Sequence, residues 1–119
     1  MYEIDIYEDK NGNSPVADFF EELNAKARTS KEHRIRLKKI AEYLQLLRGY
    51  GTRAGLPSTK YISEDIWELR PTHDRILFAY WKDDKFILLH HFVKKTQKTP
   101  QREILQAKRN LIDFLERSK

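Results

Sequence analysis

The 119-residue chain carries 23 Lys and Arg against 18 Asp and Glu, a net charge of +5, and no cysteine. That length fits one domain, residues 1–119; the missing thiols exclude disulfides and thiolate metal sites, and the basic excess points to an anionic partner. The acidic, alternating start MYEIDIYEDK is unlike a secretion signal, and no apolar run approaches the about 20 residues a membrane span needs, so a soluble, cytoplasmic protein without membrane contact is expected.

Tyr2, Ile4 and Ile6 alternate with Glu3, Asp5 and Tyr7, the pattern of a half-buried strand that Asn11-Gly12 ends. Ser14-Pro15 is a helix start, Ser as N-cap and Pro in the first turn, and Val16, Phe19, Phe20 and Leu23 follow at helical spacing over residues 15–27. A longer helix begins near Ser30: Leu37, Ile40, Ala41, Leu44 and Leu47 form its apolar stripe, Arg34, Arg36, Lys38 and Lys39 face mostly outward, and Gly49 and Gly51 close it. The two helices make a hairpin able to cover one face of a sheet. GTRAGLPS, residues 51–58, is an irregular loop carrying Arg53.

Short strands follow around Lys60–Ile62 and Ile66–Arg70, which are either two strands or one bent one, then Arg75–Trp81 and Lys85–Val93. Thr99-Pro100 repeats the cap-plus-proline signal, and the last helix carries Ile104, Leu105, Leu111, Ile112 and Leu115 on its apolar side. The order β-α-α-β-β-β-β-α predicts an α+β fold: a small antiparallel sheet of three to five strands, the N-terminal helical hairpin on one face, and a C-terminal helix.

Charge is uneven along this chain. Residues 1–27 hold seven acids against two bases, residues 28–53 eight bases against two acids, and 94–109 is basic with Glu103 its only acid. An Asp83-Asp84 turn would pair Trp81 with Phe86, Leu77 with His90 and Arg75 with Phe92. A Pro71–Asp74 loop would set Arg70 opposite Arg75. Trp67, Leu69, Ile76, Phe78, Tyr80, Ile87, Leu89 and His91 then share the face under the helices, and Glu68, Arg70, Arg75, Leu77, Ala79, Trp81, Leu88 and His90 the other. On that register Arg75 faces away from the helices and is dispensable for folding. Like charges directly opposite destabilise a sheet, so the arginines await either a carboxylate, Glu68 or Asp74, or phosphate oxygens, which Arg binds in a bidentate fork.

His90 and His91 point to opposite faces and cannot grip one metal together; no HExxH, carboxylate cluster or phosphate-cradling glycine motif is present. No metal and no cofactor is expected. A nuclease free of metal can still cut RNA, because the 2′-hydroxyl beside the scissile phosphate is the nucleophile. The protein then orients it, moves two protons and stabilises charge on phosphorus.

The run WELRP…DRILFAYW…FILLHHFVKKTQKTPQREILQAKRN, with the NGNSPV start and the GTRAGLP loop, resembles the HigB-type, phage-derived branch of the RelE/ParE toxin superfamily. The resemblance covers nearly the whole chain and implies a RelE-like fold. It also implies a toxin of a type II toxin–antitoxin pair that cleaves mRNA on the ribosome without metal. The implied partners are a helix-turn-helix, HigA-like antitoxin, the ribosome and mRNA, with operator DNA reached only through the antitoxin. The family's strand-opening arginine matches Arg75, its basic residue before the turn Arg70, and its basic pair after the strand Lys94 and Lys95. Lys98 and Arg102 fall where other members place a further base or a tyrosine, and no tyrosine stands in this terminal region. The candidate catalytic set is Arg70, Arg75, Lys94, Lys95 and Lys98, with Lys98 or His90 as proton-transfer candidates, and Lys60, His90, Arg102 and Arg53 are the candidate RNA contacts. The same superfamily contains gyrase-inhibiting ParE toxins, so an inhibitor without nuclease activity, or a noncatalytic nucleic-acid-binding protein, is the alternative.

Overall fold

The computed structural model describes residues 1–55 and 57–119, so Leu56 of the GTRAGLPS loop lies outside the described residues. The elements run β1 (Glu3–Ile6), α1 (Pro15–Lys26), α2 (Lys31–Tyr50), a 3-10 turn (Gly51–Ala54), β2 (Thr59–Ser63), β3 (Ile66–Leu69), β4 (Asp74–Tyr80), β5 (Lys85–Val93) and α3 (Gln101–Arg117). Ser14 caps α1 through a hydrogen bond accepted from the Ala17 amide, and Ser30 caps α2 through the His33 amide. Gly51 ends α2 at φ 60°, and a Cβ there would meet the Tyr2 ring at 2.9 Å. Only glycine suits that join. No helix among the described residues is long and apolar enough to cross a membrane.

The sheet order is β1-β5-β4-β3-β2. Four strands form the antiparallel meander expected from their succession, with β2 and β3 separate strands across a bulge at Tyr61. β1 instead joins β5 in parallel, which only the long excursion through α1 and α2 permits.

Two details of register depart from the sequence-based expectation. Tyr80, not Trp81, opposes Phe86, and the hairpin loop is Lys82–Asp84, with Asp83 and Asp84 both at φ 58°. The register then shifts between Leu77 and Phe78, so that Leu77 opposes His90 while Phe78 opposes Leu88. One extra residue in β5 reverses the parity of everything beyond it. Ile87 and Leu89 therefore join Leu77, Ala79, Ala107 and Leu111 under α3, and Leu88 joins Val16, Ile40, Leu69, Ile76 and Phe78 under the α1–α2 hairpin. Both sheet faces are covered.

The α3 stripe is also rotated from expectation. Ile104, Ala107 and Leu111 are buried, whereas Leu105, Ile112 and Leu115 are exposed. Between the buried residues sits Asn110, whose Nδ2 donates to the Leu89 carbonyl at 2.8 Å. A bulge leaves a backbone group without its ladder partner, and a polar side chain from the covering helix satisfies it. Thr99 does not cap α3: Pro100 occupies the N-cap without a side-chain bond. Replacing Asn110 with Leu should cost about 1–3 kcal/mol, the scale of a buried acceptor left unpaired. Urea unfolding of the variant checks this; a midpoint equal to that of the wild type would show that the carbonyl finds another partner.

Candidate nucleic-acid interface

The sheet ends where the chain turns from β3 into β4. Glu68 opposes Leu77 and Leu69 opposes Ile76, so the next rung sets Arg70 against Arg75, as the PTHD spacing predicts. Glu68, 1 % exposed, stands between them: its Oε1 lies 3.4 Å from Arg70 Nε and 3.7 Å from Arg75 Nε. Its Oε2 accepts a 2.6 Å hydrogen bond from the Thr99 hydroxyl. The carboxylate thus offsets a like-charge juxtaposition that would otherwise weaken the sheet.

The two arginines differ in kind. Arg75 is buried, and its Nη1 donates to the carbonyls of Thr72 at 2.6 Å and Asp74 at 2.9 Å, holding the turn together. That corrects the expectation of a side chain removable without harm to folding. Burial lowers the Arg75 pKa, the Glu68 carboxylate opposes the shift, and Arg70 adds to it. Arg70 is partly exposed; its amide donates to the Ser58 carbonyl at 2.9 Å, but its guanidinium donates no hydrogen bond among the described residues. Its guanidinium is therefore the freer of the two.

Lys94 reaches the same corner, its amide bonded to the His73 carbonyl at 2.8 Å. Burial lowers its ammonium pKa, and the fields of Arg75, Arg70 and Lys60 push the same way against Glu68. Lys95, Lys98 and Arg102 line a neighbouring cleft of about 730 Å³ that also includes Phe92, Thr99 and Glu103. There His90 Nε2 lies 2.7 Å from Glu103 Oε1, and the exposed Arg102 lies 3.8 Å from Oε2. Arg53 stands apart, donating Nε to the Tyr50 carbonyl beside its own 3-10 turn. On the α2 side, Lys39, Tyr43, Pro57, Arg70, Thr72 and Arg75 line a groove of about 400 Å³.

The comparisons with known proteins bear on the family and the fold of the chain. Residues 18–111 match the family described as phage-derived protein Gp49-like (DUF891). The chain belongs to that family. No curated protein matches it. Among solved structures, a chain of the YoeB–YefM complex from Staphylococcus aureus resembles this one with a TM-score of 0.52 at 18% identity, over 80% of this chain and 99% of that chain. Identity that low shows the fold, and it bears out the α+β, RelE-like architecture.

In this Gp49-like protein, sequence reading misses the side chains that organise the corner. Thr99, by its position before proline a helix cap, instead fixes Glu68. Lys39 and Tyr43, one turn apart on α2, look like residues of the helix surface; their i, i+4 spacing is the available signal for a shared groove. Asp74, a candidate partner for the arginines, faces the other way. It accepts from Arg36 Nε at 3.1 Å and Arg36 Nη2 at 2.8 Å and pairs with His91 Nε2 at 2.9 Å, while His91 stacks on Phe19 at 3.5 Å between centroids.

Burial would raise the Asp74 pKa, but the bonds from His91 and Arg36 outweigh it and hold the group at about 2. A folded-state pKa depressed from the ordinary 3.8 gives stability that is present above about pH 4 and lost as pH falls through about 2. The shift corresponds to about 2 kcal/mol. Asp74→Asn should therefore be less stable than the wild type at pH 6 by at least that much, with the gap closing towards pH 2. Denaturant midpoints across that range test it; parallel curves would contradict the assignment.

Proposed function

We propose that this protein is the HigB-type toxin of a type II toxin–antitoxin pair and that it cleaves mRNA on the ribosome. The observation that carries the reading is the Arg70–Glu68–Arg75 corner, where one buried carboxylate serves two guanidinium groups and Lys94 adds a further cation. Such an excess of fixed donors suits the extra charge that develops on a phosphoryl group under attack. Metal has no role in the proposal.

In the proposed reaction the 2′-oxygen attacks phosphorus and the bond from phosphorus to the 5′-oxygen breaks. The products are a 2′,3′-cyclic phosphate and a 5′-hydroxyl; one proton leaves the 2′-hydroxyl and one reaches the departing oxygen. Arg70 holds the scissile phosphate, and Arg75, itself held by two carbonyls, fixes Glu68 and the turn around it. Lys94, with its lowered pKa, supplies the leaving group's proton, a task that a depressed ammonium performs better than an ordinary one. Lys95 binds a flanking phosphate, Lys98 and His90 are the further proton-transfer candidates, and Lys60, Arg102 and Arg53 are contacts for more distant RNA.

Arg70→Ala should lower cleavage about 10²-fold, the effect of removing one preorganised donor, with an unchanged melting temperature. Arg75→Ala should lose activity and stability together, because two carbonyls and Glu68 lose their partner. Cleavage in a translation extract should require ribosomes and continue in excess EDTA. If chelation stops cutting and added divalent metal restores it, the mechanism is wrong. If purified protein stalls gyrase and leaves mRNA intact, the ParE-like alternative stands instead.

The likeness to a protein found in a two-component complex supports a cognate partner, proposed as a helix-turn-helix, HigA-like antitoxin in the cytoplasm. Away from the cationic corner, Ile6, Ala17, Phe20, Leu37, Ile40, Ala41 and Leu44 line a largely apolar groove of about 520 Å³ across the helical hairpin. An amphipathic helix fits such a groove by its apolar face, leaving Arg70 and Lys94 uncovered. Ala41→Glu, at an exposed helical position, should keep toxicity and escape neutralisation by the co-expressed antitoxin. Full neutralisation of that variant would place the antitoxin elsewhere.

A further inference from the structure

The α2 groove beside Arg70 differs in charge from four other clefts among the described residues. Its lining residues are Lys39, Tyr43, Pro57, Arg70, Thr72 and Arg75, with no carboxylate among them. Those four each include at least one: Glu103 beside Lys98, Glu21 on the helical hairpin, Glu22 beside His91, and Glu32 with Asp74 beside Lys94. Glu68, the acid at this corner, is buried at 1 % exposure and already shared by Arg70, Arg75 and Thr99. Among the described residues, the carboxylate that pairs with Lys39 is the exposed Glu42, 3.5 Å away on the same helix. An exposed pair of that kind contributes little and exchanges readily for a better anion.

Three donors of different shape therefore meet in one groove. Arg70 brings a planar guanidinium with no hydrogen bond among the described residues, Lys39 an ammonium, and Tyr43 a hydroxyl on a ring packed against the α1–α2 core. Tyr43 and Arg75 line the same groove. On that basis, and resting on the RNA reading above, we infer that Lys39 and Tyr43 of α2 form a phosphate subsite for single-stranded RNA next to the scissile position. The Lys39 ammonium neutralises the phosphodiester and the Tyr43 hydroxyl donates to one of its oxygens. The Glu68–Thr99 bond links this groove to the cleft of Lys95, Lys98 and Arg102, so the bound strand runs from α2, across Arg70, to the start of α3.

The test is fluorescence anisotropy on a labelled RNA oligonucleotide that cannot be cut, with a 2′-O-methyl group at every position. Titrations run from about 25 to 200 mM salt, inside the range where ion pairs with phosphate dominate affinity. Removing one cation from a single-stranded phosphate lowers the slope of log K against log salt by about 0.7. Lys39→Gln should show that drop. Tyr43→Phe should keep the slope and weaken binding roughly tenfold, the scale of one hydrogen bond to a charged group. Neither should alter the thermal melt, since the Lys39 side chain is half-exposed and Phe keeps the ring packed against the core.

An unchanged slope for Lys39→Gln overturns the subsite, as does full affinity in Tyr43→Phe or an absence of wild-type binding at 25 mM salt. Inorganic phosphate or a mononucleotide that displaces the oligonucleotide at micromolar concentration would also overturn it, because the groove would then be a small-ligand site. Failure of the parent reading looks different: wild type and Arg70→Ala would bind alike and leave mRNA intact, while the weaker salt dependence of Lys39→Gln would still report a phosphate bound at α2.

Discussion

The corner of this molecule depends on one carboxylate shared by two arginines. Taking Glu68 and its partners out of water is costly, and the cost is offset in part where their remaining donors and acceptors are matched. Glu68 Oε2 has Thr99, and Arg75 Nη1 has two carbonyls. The Nε atoms of Arg70 and Arg75 are buried without a hydrogen bond of their own. That imbalance leaves the corner with a surplus of positive donors. Of the alternatives posed by the sequence, pairing with a carboxylate is met by Glu68; Arg75 is further held by two carbonyls, and the Arg70 guanidinium keeps its outer donors.

Covering both faces of the sheet has a consequence for where charge can sit. Had the second face been open, the cations of β3 and β4 would spread across it in high dielectric. With α3 on that face and the α1–α2 hairpin on the other, the cations concentrate at the end of the sheet. Low-dielectric walls on either side strengthen their field and focus it outward. The lowered pKa of Lys94 has burial as its first cause and the neighbouring cations as its next. The acidic stretch of residues 1–27 belongs to β1 and α1, whereas Arg70, Arg75 and Lys94 stand at the ends of β3, β4 and β5.

Strand and helix succession is readable because period and punctuation agree: Ser14-Pro15, Ser30 and Gly51 mark boundaries where the backbone bonds require them. The opposition of Arg70 and Arg75 is readable from loop length alone. The bulge in β5 is not, since an inserted residue leaves no mark when Ile87, Leu88 and Leu89 are all apolar and both faces are buried. The same blindness rotates the expected stripe of α3, whose Asn110 serves the bulge rather than solvent. Thr99 misleads for a different reason. Threonine before proline is a good helix cap, and only the proximity of Glu68, thirty-one positions away, gives its hydroxyl a stronger acceptor.

Adjacent residues on β4 tie the two halves of the candidate site together. Side chains alternate across a strand, so Asp74 points to the helical hairpin and Arg75 to the corner held by Glu68. Asp74 grips Arg36 of α2 in a bidentate pair and meets His91 of β5, which Phe19 of α1 covers. Arg36 lies three positions before Lys39 on the same helix, within one turn. The clamp that docks α2 on the sheet therefore also sets the distance between Lys39 and Tyr43 on one side and Arg70 on the other. Loosening it would move one wall of the α2 groove without touching any residue that lines it. Helix docking and the shape of the cationic corner are coupled here through a single peptide unit, Asp74-Arg75, which has one hand in each.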